Sequence, residues 1–395
     1  MSYNRKQIKK NIYYIKGLLP LNIIISLKMK VEYSPLTNIK GRYITIDDVE
    51  CVLQNLDKEK FIVKNEGSSV ENRPLYSVEF GSGLKKIIIW SQMHGNEATT
   101  TKAVLDWLNR LNTNSIYYDD IASNFSICVL PMVNPDGAFY YTRANANNVD
   151  LNRDSVDLSQ PESVFLRNKI VNFNADLALN MHDQRTIFGV GETEYPATIS
   201  FLSPAYNENR TINNVREIAM QLIGVMYNHL HNIIPNQIGR FDDSFNINCI
   251  GDYVTNLGVS TILFEAGHYP NDYQREKTRQ IVYEALFVLL ESYKLDSFKS
   301  VSTDVYWNIK ENSKNFNDIR IVGFVNEIEN MAIKDYISIQ YIENVQNKKL
   351  LFDYSIDYDT APNAEFAHKI LNAKGLKFKS VNEVFCFLNE NVEKM

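Results

Sequence analysis

The sequence has few cysteines, no excess of positive charge and no apolar run of membrane-spanning length, and each of these features excludes a class of protein. Its four cysteines are scattered over 395 residues without paired spacing, so neither a disulfide framework nor a zinc ribbon is expected. The formal net charge is -6 and the basic runs are short, so nucleic acid is not an expected partner. The apolar stretch Gly17–Leu27 is too short to span a membrane as a helix, and no stable membrane association is expected.

The N-terminus carries an ambiguous targeting signal. Four basic residues within residues 5–10 precede the apolar stretch, as in a secretory signal peptide. Pro20 interrupts that stretch, and Lys28-Met29-Lys30 stands where a small-residue cleavage site is required. Met29 is an alternative start, which would make residues 1–28 a non-native or disordered extension. The sequence therefore favours a cytoplasmic protein and leaves export through an N-terminal signal open.

Hydrophobic periodicity predicts strands that alternate with helices. The run Ile87–Trp90 is continuously apolar, which is typical of a strand covered on both faces of a sheet. Apolar residues at positions i, i+3, i+4 and i+7 from Val104 to Leu111 predict a helix that begins at about Asn96. Further strands are expected at 125–133, 176–181 and 259–264, and further helices at 161–172, 213–234 and 273–293. This alternation implies an α/β fold with a mixed, mostly parallel central sheet and helices on both faces.

Three short motifs follow predicted strands and carry side chains that bind metals. His94 and Glu97 lie in HGNE, His182 lies in NMHD, and Glu265 lies in FEAGH. In open α/β sheets, ligands gather outside the carboxyl ends of strands, so these side chains are expected to meet at one edge. Two imidazoles and one carboxylate suit a single catalytic zinc ion, which keeps one position open for water. The later glutamate can then act as the base for that water.

The ordered set of motifs resembles the zinc metallocarboxypeptidases, the M14 peptidases. The resemblance covers roughly residues 75–293 and includes two further motifs, NPDG at Asn134–Gly137 and the stretch Arg143–Arg153. It implies the zinc carboxypeptidase-like fold and the hydrolysis of C-terminal peptide bonds by a zinc-activated water. The implied substrate is a peptide or peptide-like molecule with a free C-terminal carboxylate.

The resemblance assigns the metal site to particular residues. The three zinc ligands of the family fall on His94, Glu97 and His182. Asp150 matches the carboxylate that accepts a hydrogen bond from the second ring nitrogen of His94, an arrangement that fixes the tautomer of a ligating imidazole. Asp183 is a second candidate for that carboxylate, and a solvated loop position is equally compatible with its sequence context.

The resemblance also assigns the reaction and the capture of substrate. Glu265 matches the general base, which takes a proton from water and returns it to the leaving amine. Arg143 matches the arginine that stabilises the tetrahedral oxyanion. Asn152 and Arg153 match the pair that binds the terminal carboxylate of the substrate, for which the planar arginine fork is well suited.

The sequence departs from the digestive members of the family at two places. Asn96 stands where those members carry an arginine. The segment Asp243–Asn248 contains no tyrosine, whereas those members have a mobile tyrosine there, and Tyr253 is too close to Glu265 to replace it. The preference for a substrate side chain is expected to depend on residues near Cys249–Asp252, and the sequence leaves that preference open.

Two alternative functions stay open at this point. HGNE and DLNR, at Asp150–Arg153, also occur in zinc-dependent N-acyl amino acid deacylases of the aspartoacylase and succinylglutamate desuccinylase type. NPDG and the long segment between His182 and Glu265 favour the peptidase. The second alternative is a non-catalytic peptide-binding protein, although such relatives usually lose a ligand or the base.

The motifs and the change in character near residue 297 suggest three regions. Residues 1–57 are interpreted as an N-terminal extension and lead-in, and residues 58–296 as the catalytic domain. Residues 297–395 are interpreted as a small α+β or β-rich C-terminal module. Within that module, Asn312–Asn317 is expected to be a polar connector, and Val381–Asn391 a closing helix.

Overall fold

A mixed eight-stranded sheet is the largest element of the computed structural model. The structure describes residues 31–328, 335–356 and 364–392, so the candidate export signal and the alternative start at Met29 lie outside the described residues. Contacts between Cα atoms group residues 35–395 into one unit. In order across the sheet, the strands are β1 (Ile62–Ser68), β2 (Pro74–Phe80), β4 (Phe125–Leu130), β3 (Lys85–Ser91), β5 (Leu177–Asp183), β9 (Ser260–Ala266), β7 (Ile199–Leu202) and β8 (Ile238–Arg240).

The middle of this sheet is parallel and its outer pairings are mostly antiparallel. Strands β4, β3, β5 and β9 run parallel to one another, whereas β2 pairs antiparallel with β4 and β7 pairs antiparallel with β9. Strand β1 pairs antiparallel with β2, and β8 pairs parallel with β7. Four of the seven pairings are therefore parallel, and the expected mixed, mostly parallel sheet is confirmed.

Helices cover both faces of the sheet. Helices α5 (Pro161–Phe173) and α7 (Ile250–Asn256) pack against one face through a core cluster that includes Ile88 and Trp90 of β3. The alternate residues Ile87 and Ile89 are buried too. Helix α8 (Glu276–Lys294) contacts both α2 (Thr99–Thr113) and α6 (Asn214–Leu230), and all three reach β9. The helices of the described chain are α1 (Ile46–Gln54), α2 (Thr99–Thr113), α3 (Ser115–Asn124), α4 (Pro135–Tyr140), α5 (Pro161–Phe173), α6 (Asn214–Leu230), α7 (Ile250–Asn256), α8 (Glu276–Lys294), α9 (Asp304–Trp307) and α10 (Val381–Asn391). Every described helix is too short or too polar to cross a bilayer.

The C-terminal part is rich in β-structure, as expected. A four-stranded sheet with the order β14-β13-β11-β15 packs the isoleucines of β11 and β13 against Val384 and Leu388 of α10. The remaining strands are β6 (Phe188–Val190), β10 (Asn312–Lys314), β11 (Phe316–Val322), β12 (Val325–Asn326), β13 (Tyr336–Gln346), β14 (Lys349–Ile356), β15 (Phe366–Asn372) and β16 (Lys377–Phe378). The position of the boundary between the catalytic domain and this module stays a prediction.

The expectation of a polar connector at Asn312–Asn317 is wrong. Residues 312–314 form β10, which pairs antiparallel with β6. The side chain of Asn312 donates to Gln184 Oε1 at 2.7 Å, and that of Asn315, which is 2% exposed, donates to the carbonyl of Gly191 at 2.9 Å. Asparagines occur in this segment because their side chains donate hydrogen bonds to acceptors inside the protein. The polar composition therefore does not indicate exposure to solvent.

Periodicity also failed to predict α3 and the short strands β6, β7 and β8. Helix α3 buries only one of its ten residues, Ile121, so it has no apolar stripe that a sequence pattern can reveal. The short strands contain three or four residues each, which is too few for a recognisable alternation.

Gly95 of HGNE and Gly137 of NPDG are in close backbone contact, which places the two motifs next to each other. A Cβ atom placed on Gly95 would lie 1.8 Å from the carbonyl carbon of Gly137. A Cβ atom placed on Gly137 would lie 2.7 Å from the carbonyl oxygen of Ala144. Only glycine permits this approach, so both motifs require glycine for steric reasons.

We expect Gly95→Ala to destabilise the protein by about 3 kcal/mol, because the new methyl group has only backbone to displace. Chemical denaturation monitored by circular dichroism measures this loss. Gly251→Ala is the matched control, since its Cβ would lie 3.1 Å from a side-chain atom of Pro204, and we expect less than half the effect. Equal losses in the two variants would contradict the close approach.

Candidate metal centre

The HGNE motif forms the turn between strand β3 and helix α2. The backbone N–H of Glu97 donates to the carbonyl of His94 at 3.1 Å, which closes the turn. His94 is 2% exposed and Glu97 is 8% exposed. The turn therefore presents an imidazole and a carboxylate at the carboxyl end of β3, where they are almost entirely removed from solvent.

His182 reaches the same point from the end of the neighbouring strand β5. Its Nδ1 lies 2.8 Å from Glu97 Oε2 and 3.1 Å from His94 Nδ1. His94 Nδ1 lies 2.8 Å from Glu97 Oε1. The candidate ligand atoms of the three side chains all lie within 4.8 Å of one another. The three residues that the sequence nominated as ligands are thus brought together.

The donor set fits a divalent cation. Two imidazole nitrogens and a carboxylate are the ligands of many catalytic zinc sites. His94 Nδ1, His182 Nδ1 and the two Glu97 oxygens converge with separations of 2.8 to 3.1 Å, as ligand atoms around one cation do. A zinc ion held by these atoms would give each lone pair a partner.

Asp150 holds His94 in the tautomer that a metal requires. Its Oδ1 lies 3.1 Å from His94 Nε2, so the ring proton is held there and Nδ1 is left free as a ligand. Burial of the Asp150 carboxyl favours the neutral form, but the hydrogen bond and charge of His94 outweigh it and lower the pKa of Asp150. Asp150 is therefore ionised at neutral pH and can accept a hydrogen bond from the Nε2–H group of His94.

Charge keeps the carboxylate of Glu97 ionised as well. Burial raises its pKa, but the positive field of His94 and His182 and their hydrogen bonds outweigh burial, so the pKa of Glu97 is lowered. Burial lowers the pKa of His182, which favours the neutral imidazole that ligates metals. Burial also lowers the pKa of His94, but the charge of Glu97 and the hydrogen bonds to Asp150 and Glu97 outweigh burial, so the pKa of His94 is raised. Only Glu97 and His182 are therefore biased toward the protonation states of a metal site.

Asp183 has neither of the two roles that its sequence context allowed. It is 6% exposed, so it is not a solvated loop carboxylate, and it does not contact His94. Its two oxygens accept the backbone N–H groups of Thr99 and Thr100 at 2.8 and 3.1 Å. Asp183 therefore caps the N-terminus of α2 and fixes the helix that follows HGNE.

Glu265 lies beside His182 at the end of strand β9. The two residues are direct partners in the parallel ladder between β5 and β9. Loss of water around the carboxyl, followed by the negative charges of Glu97 and Asp183, raises the pKa of Glu265 well above its usual range. A carboxyl in this state holds a proton more readily than an ordinary glutamate, as a proton acceptor in catalysis must.

Arg143 lies at the rim of the cluster and is held by its carboxylates. Its Nε donates to Asp150 Oδ2 at 3.0 Å, and its Nη1 lies 3.4 Å from Glu97 Oε1. Asn134 of NPDG ties this segment to HGNE, because its Nδ2 donates to the carbonyls of Met93 and Arg143 at 3.2 and 3.4 Å. The side chain of Arg143 is 49% exposed, so its charge is open to a ligand.

Asn152 and Arg153 line a cavity of about 200 Å³ that also contains Glu265. We call this cavity the carboxylate pocket. The side-chain oxygen of Asn152 accepts the backbone N–H of Ile250 at 3.0 Å, so its Nδ2 donor is directed elsewhere. The guanidinium of Arg153 is exposed and donates to the carbonyl of Asn152 at 2.7 Å. The pocket can therefore present an amide donor and a fixed cation to an anion.

Two further polar residues line the carboxylate pocket, of which only Asn180 was not identified from the sequence. Asn180 precedes His182 by two positions on β5 and faces the same side, a signal that strand alternation could have revealed. Asp252 lies in the expected specificity segment, and burial raises its pKa to about 6. Tyr253 is 9% exposed and packs in the core against Arg167, so it does not cover the pocket.

Comparison with known proteins gives one family and several relatives. The family model described as zinc carboxypeptidase matches residues 51–232. Carboxypeptidase 2 of Trichophyton tonsurans is 33% identical over 100 residues, which cover 25% of this chain and 19% of that protein. Carboxypeptidase SOL1 of Arabidopsis thaliana is 28% identical over 179 residues, which cover 42% of this chain and 34% of that protein. The chain thus spans about a third or less of the length of these relatives.

The fold is also that of a solved structure. The carboxypeptidase A from Helicoverpa armigera superposes with a TM-score of 0.52 and 20% sequence identity, over 73% of this chain and 81% of that one. At this identity the likeness concerns the fold.

Asp150→Asn should lower the affinity for zinc by roughly 10- to 100-fold, because an amide cannot hold the proton of His94 as a carboxylate does. Competition with a chromogenic chelator measures the affinity. Asp157→Asn removes the same charge from an exposed neighbour and should leave zinc binding unchanged. Normal zinc affinity in Asp150→Asn would contradict the assigned contact.

Proposed function

We propose that this chain is a member of the zinc carboxypeptidase family, a metallocarboxypeptidase that removes the last residue from peptides with a free C-terminal carboxylate. We further propose that the metal is a single zinc ion held by His94, Glu97 and His182. A zinc ion at this position would acidify a water molecule and polarise the carbonyl oxygen of the substrate.

One observation carries this proposal. The carboxylate pocket contains both the candidate base, Glu265, and the candidate anion clamp, Asn152 and Arg153. The bond that lies within reach of the base is therefore close to the end of a chain whose terminal carboxylate is bound by the clamp. This arrangement selects the last peptide bond over internal bonds, because an internal residue offers no carboxylate to Arg153.

The residues of the chain divide the reaction between them. Glu265 takes a proton from the attacking water and passes it to the nitrogen of the scissile amide as the C–N bond breaks. Its raised pKa suits both steps, because the same group must accept and then release a proton. Arg143 provides a partly exposed positive charge beside Glu97, where it can stabilise the oxyanion that develops from the carbonyl.

The deacylase alternative is not favoured. The matching relatives are carboxypeptidases, and the matched family is that of the zinc carboxypeptidases. An assay of the zinc-loaded protein with an N-blocked dipeptide and with an N-acyl amino acid separates the two activities. Turnover of the N-acyl amino acid alone would overturn the proposed function.

Replacement of the base should remove activity without removing the metal. Glu265→Gln keeps the shape of the side chain but cannot accept a proton, so kcat should fall by roughly 10²- to 10⁴-fold. Zinc content, measured by elemental analysis, should stay at the level of the unaltered protein. Glu208→Gln, at an exposed position, is the control and should keep full activity. If the unaltered protein binds peptides but never hydrolyses them, the chain is a non-catalytic peptide-binding protein.

The free carboxylate of the substrate should be essential. We expect a peptide amide to be hydrolysed at least about tenfold more slowly than the matching free acid, because it offers no anion to Arg153. Arg153→Gln should reduce kcat/KM for the free acid by about tenfold or more and should have little further effect on the amide. Steady-state kinetics on this pair of peptides tests both statements, and equal rates on acid and amide would exclude the exopeptidase.

A further inference from the structure

A second cavity reaches the metal-ligand cluster and shares no lining residue with the carboxylate pocket. It has a volume of about 360 Å³, and Glu97 contributes to its wall. This volume is within the range of ligand-binding sites. We call it the arginine chamber, because its wall contains Arg42, Arg143, Arg185 and Arg275.

The C-terminal module forms one wall of the arginine chamber. Residues 340–343 of strand β13 line it, opposite residues from the turns after β3 and β5. Ile342 is 53% exposed, so this strand presents an open apolar surface as well as polar groups. The chamber therefore exists only because the C-terminal sheet lies beside the metal cluster.

Strand β13 is held in place by several buried polar contacts. Glu343 accepts a hydrogen bond from Arg42 at 2.5 Å and another from the hydroxyl of Tyr141 at 2.8 Å. Gln340 donates to the hydroxyl of Thr186 at 2.8 Å. These contacts come from three separate segments of the larger sheet region, so the position of the wall is well defined.

The chamber has more positive than negative charge. Four arginines face three carboxylates, Glu97, Asp183 and Glu343. All three carboxylates are engaged by arginines: Glu343 pairs with Arg42, Glu97 with Arg143 at 3.4 Å, and Asp183 with Arg275 at 3.7 Å. The exposed side chain of Arg185 forms no ion pair with any residue of the described chain. The unbalanced charge is therefore positive and is accessible to a ligand.

Buried donors in the wall add to this charge. Arg42 is 6% exposed and Arg275 is 1% exposed, and both line the chamber. The Nε atom of each has no hydrogen-bond partner among the described residues. A buried guanidinium with an unsatisfied N–H is costly unless an acceptor is supplied, and an anionic ligand supplies one.

The residues of a substrate that precede the scissile bond would extend toward the arginine chamber. If the terminal carboxylate lies against Arg153, the scissile carbonyl lies near the metal ligands, and the preceding residues must leave past them. The carboxylate pocket reaches the cluster at Glu265, the ladder partner of His182, whereas the arginine chamber reaches it at Glu97 and Arg143. The preceding one or two residues therefore enter the arginine chamber.

We propose that the arginine chamber binds the residues before the scissile bond and selects an acidic side chain there, with Arg185 as the accessible cation and strand β13 as the opposing wall. This inference rests on the proposed function, since it names the substrate class of the same site. It makes the C-terminal module part of substrate recognition.

The test compares peptides that differ in one residue. N-acetylated peptides share a last residue that the protein removes and carry glutamate, glutamine or lysine at the first or second position before it. The chamber predicts that kcat/KM decreases in the order glutamate, glutamine, lysine at one of these positions, with about tenfold between glutamate and glutamine. Arg185→Gln should bring the ratio of glutamate to glutamine close to one. Lys64→Gln removes the same charge from the exposed edge strand β1 and should leave the ratio unchanged.

A second variant tests the wall formed by the C-terminal module. Ile342→Glu adds a negative charge to the chamber at an exposed position and should reduce or reverse the preference for glutamate. Ile370→Glu adds the same charge to an exposed isoleucine on β15, outside the chamber, and should keep the preference. Both isoleucines are more than half exposed, so folding should tolerate both changes.

The outcomes separate the two proposals. Failure to hydrolyse any of the peptides would overturn the proposed function. Hydrolysis of all three peptides at similar rates, or a preference for glutamate that survives both Arg185→Gln and Ile342→Glu, would overturn the role of the chamber and leave the proposed function intact.

Discussion

The site depends on the parallel register of three adjacent strands, β3, β5 and β9. Because parallel strands end at the same edge of a sheet, HGNE, His182 and Glu265 meet although 171 positions separate the first from the last. The pairing of His182 with Glu265 places the candidate base next to a candidate ligand through backbone hydrogen bonds alone. Any slip of β9 against β5 would separate them, so the large buried core of the sheet also maintains the site.

Buried polar groups secure what the strands bring together. Asp183 caps helix α2, Asp150 holds the ring of His94, and Asn134 links the HGNE turn to Arg143. Each of these side chains forms its hydrogen bonds with a neighbouring segment of the site. The close approach of Gly95 and Gly137 completes this arrangement by bringing two loops to backbone contact. Most of the motif residues are thus positioning groups, and only a few face the space that a substrate would occupy.

The C-terminal module extends the site instead of forming a separate attachment. Its strand β13 forms hydrogen bonds with Arg42, Tyr141 and Thr186, which belong to segments around the candidate metal ligands. The polar residues of β10 are likewise bonded to the region after β5. The sequence alone predicts no role for this module, because it contains no recognisable catalytic motif. The module contributes strand β13 to the lining of the arginine chamber, and this contribution can be recognised only from the tertiary structure.

The fold class and the candidate ligands could be predicted from the sequence for local reasons. Continuous apolar runs such as Ile87–Trp90 mark buried strands, and the motif residues stand directly at the ends of such runs. The helix α3, the short strands and the buried asparagines of 312–317 could not be predicted, because their partners are distant in the chain and they have no periodic pattern of their own.

The sequence by itself determined which chemical groups stand at the ends of the central strands, since that depends on residue type and position along the chain. Only the tertiary structure decided that Asp183 caps a helix, that the carboxylate pocket contains Glu265 with Arg153, and that a distant sheet closes the arginine chamber. The physical reason is that these contacts join segments far apart in sequence, and their geometry follows from how sheets and helices pack rather than from any local preference.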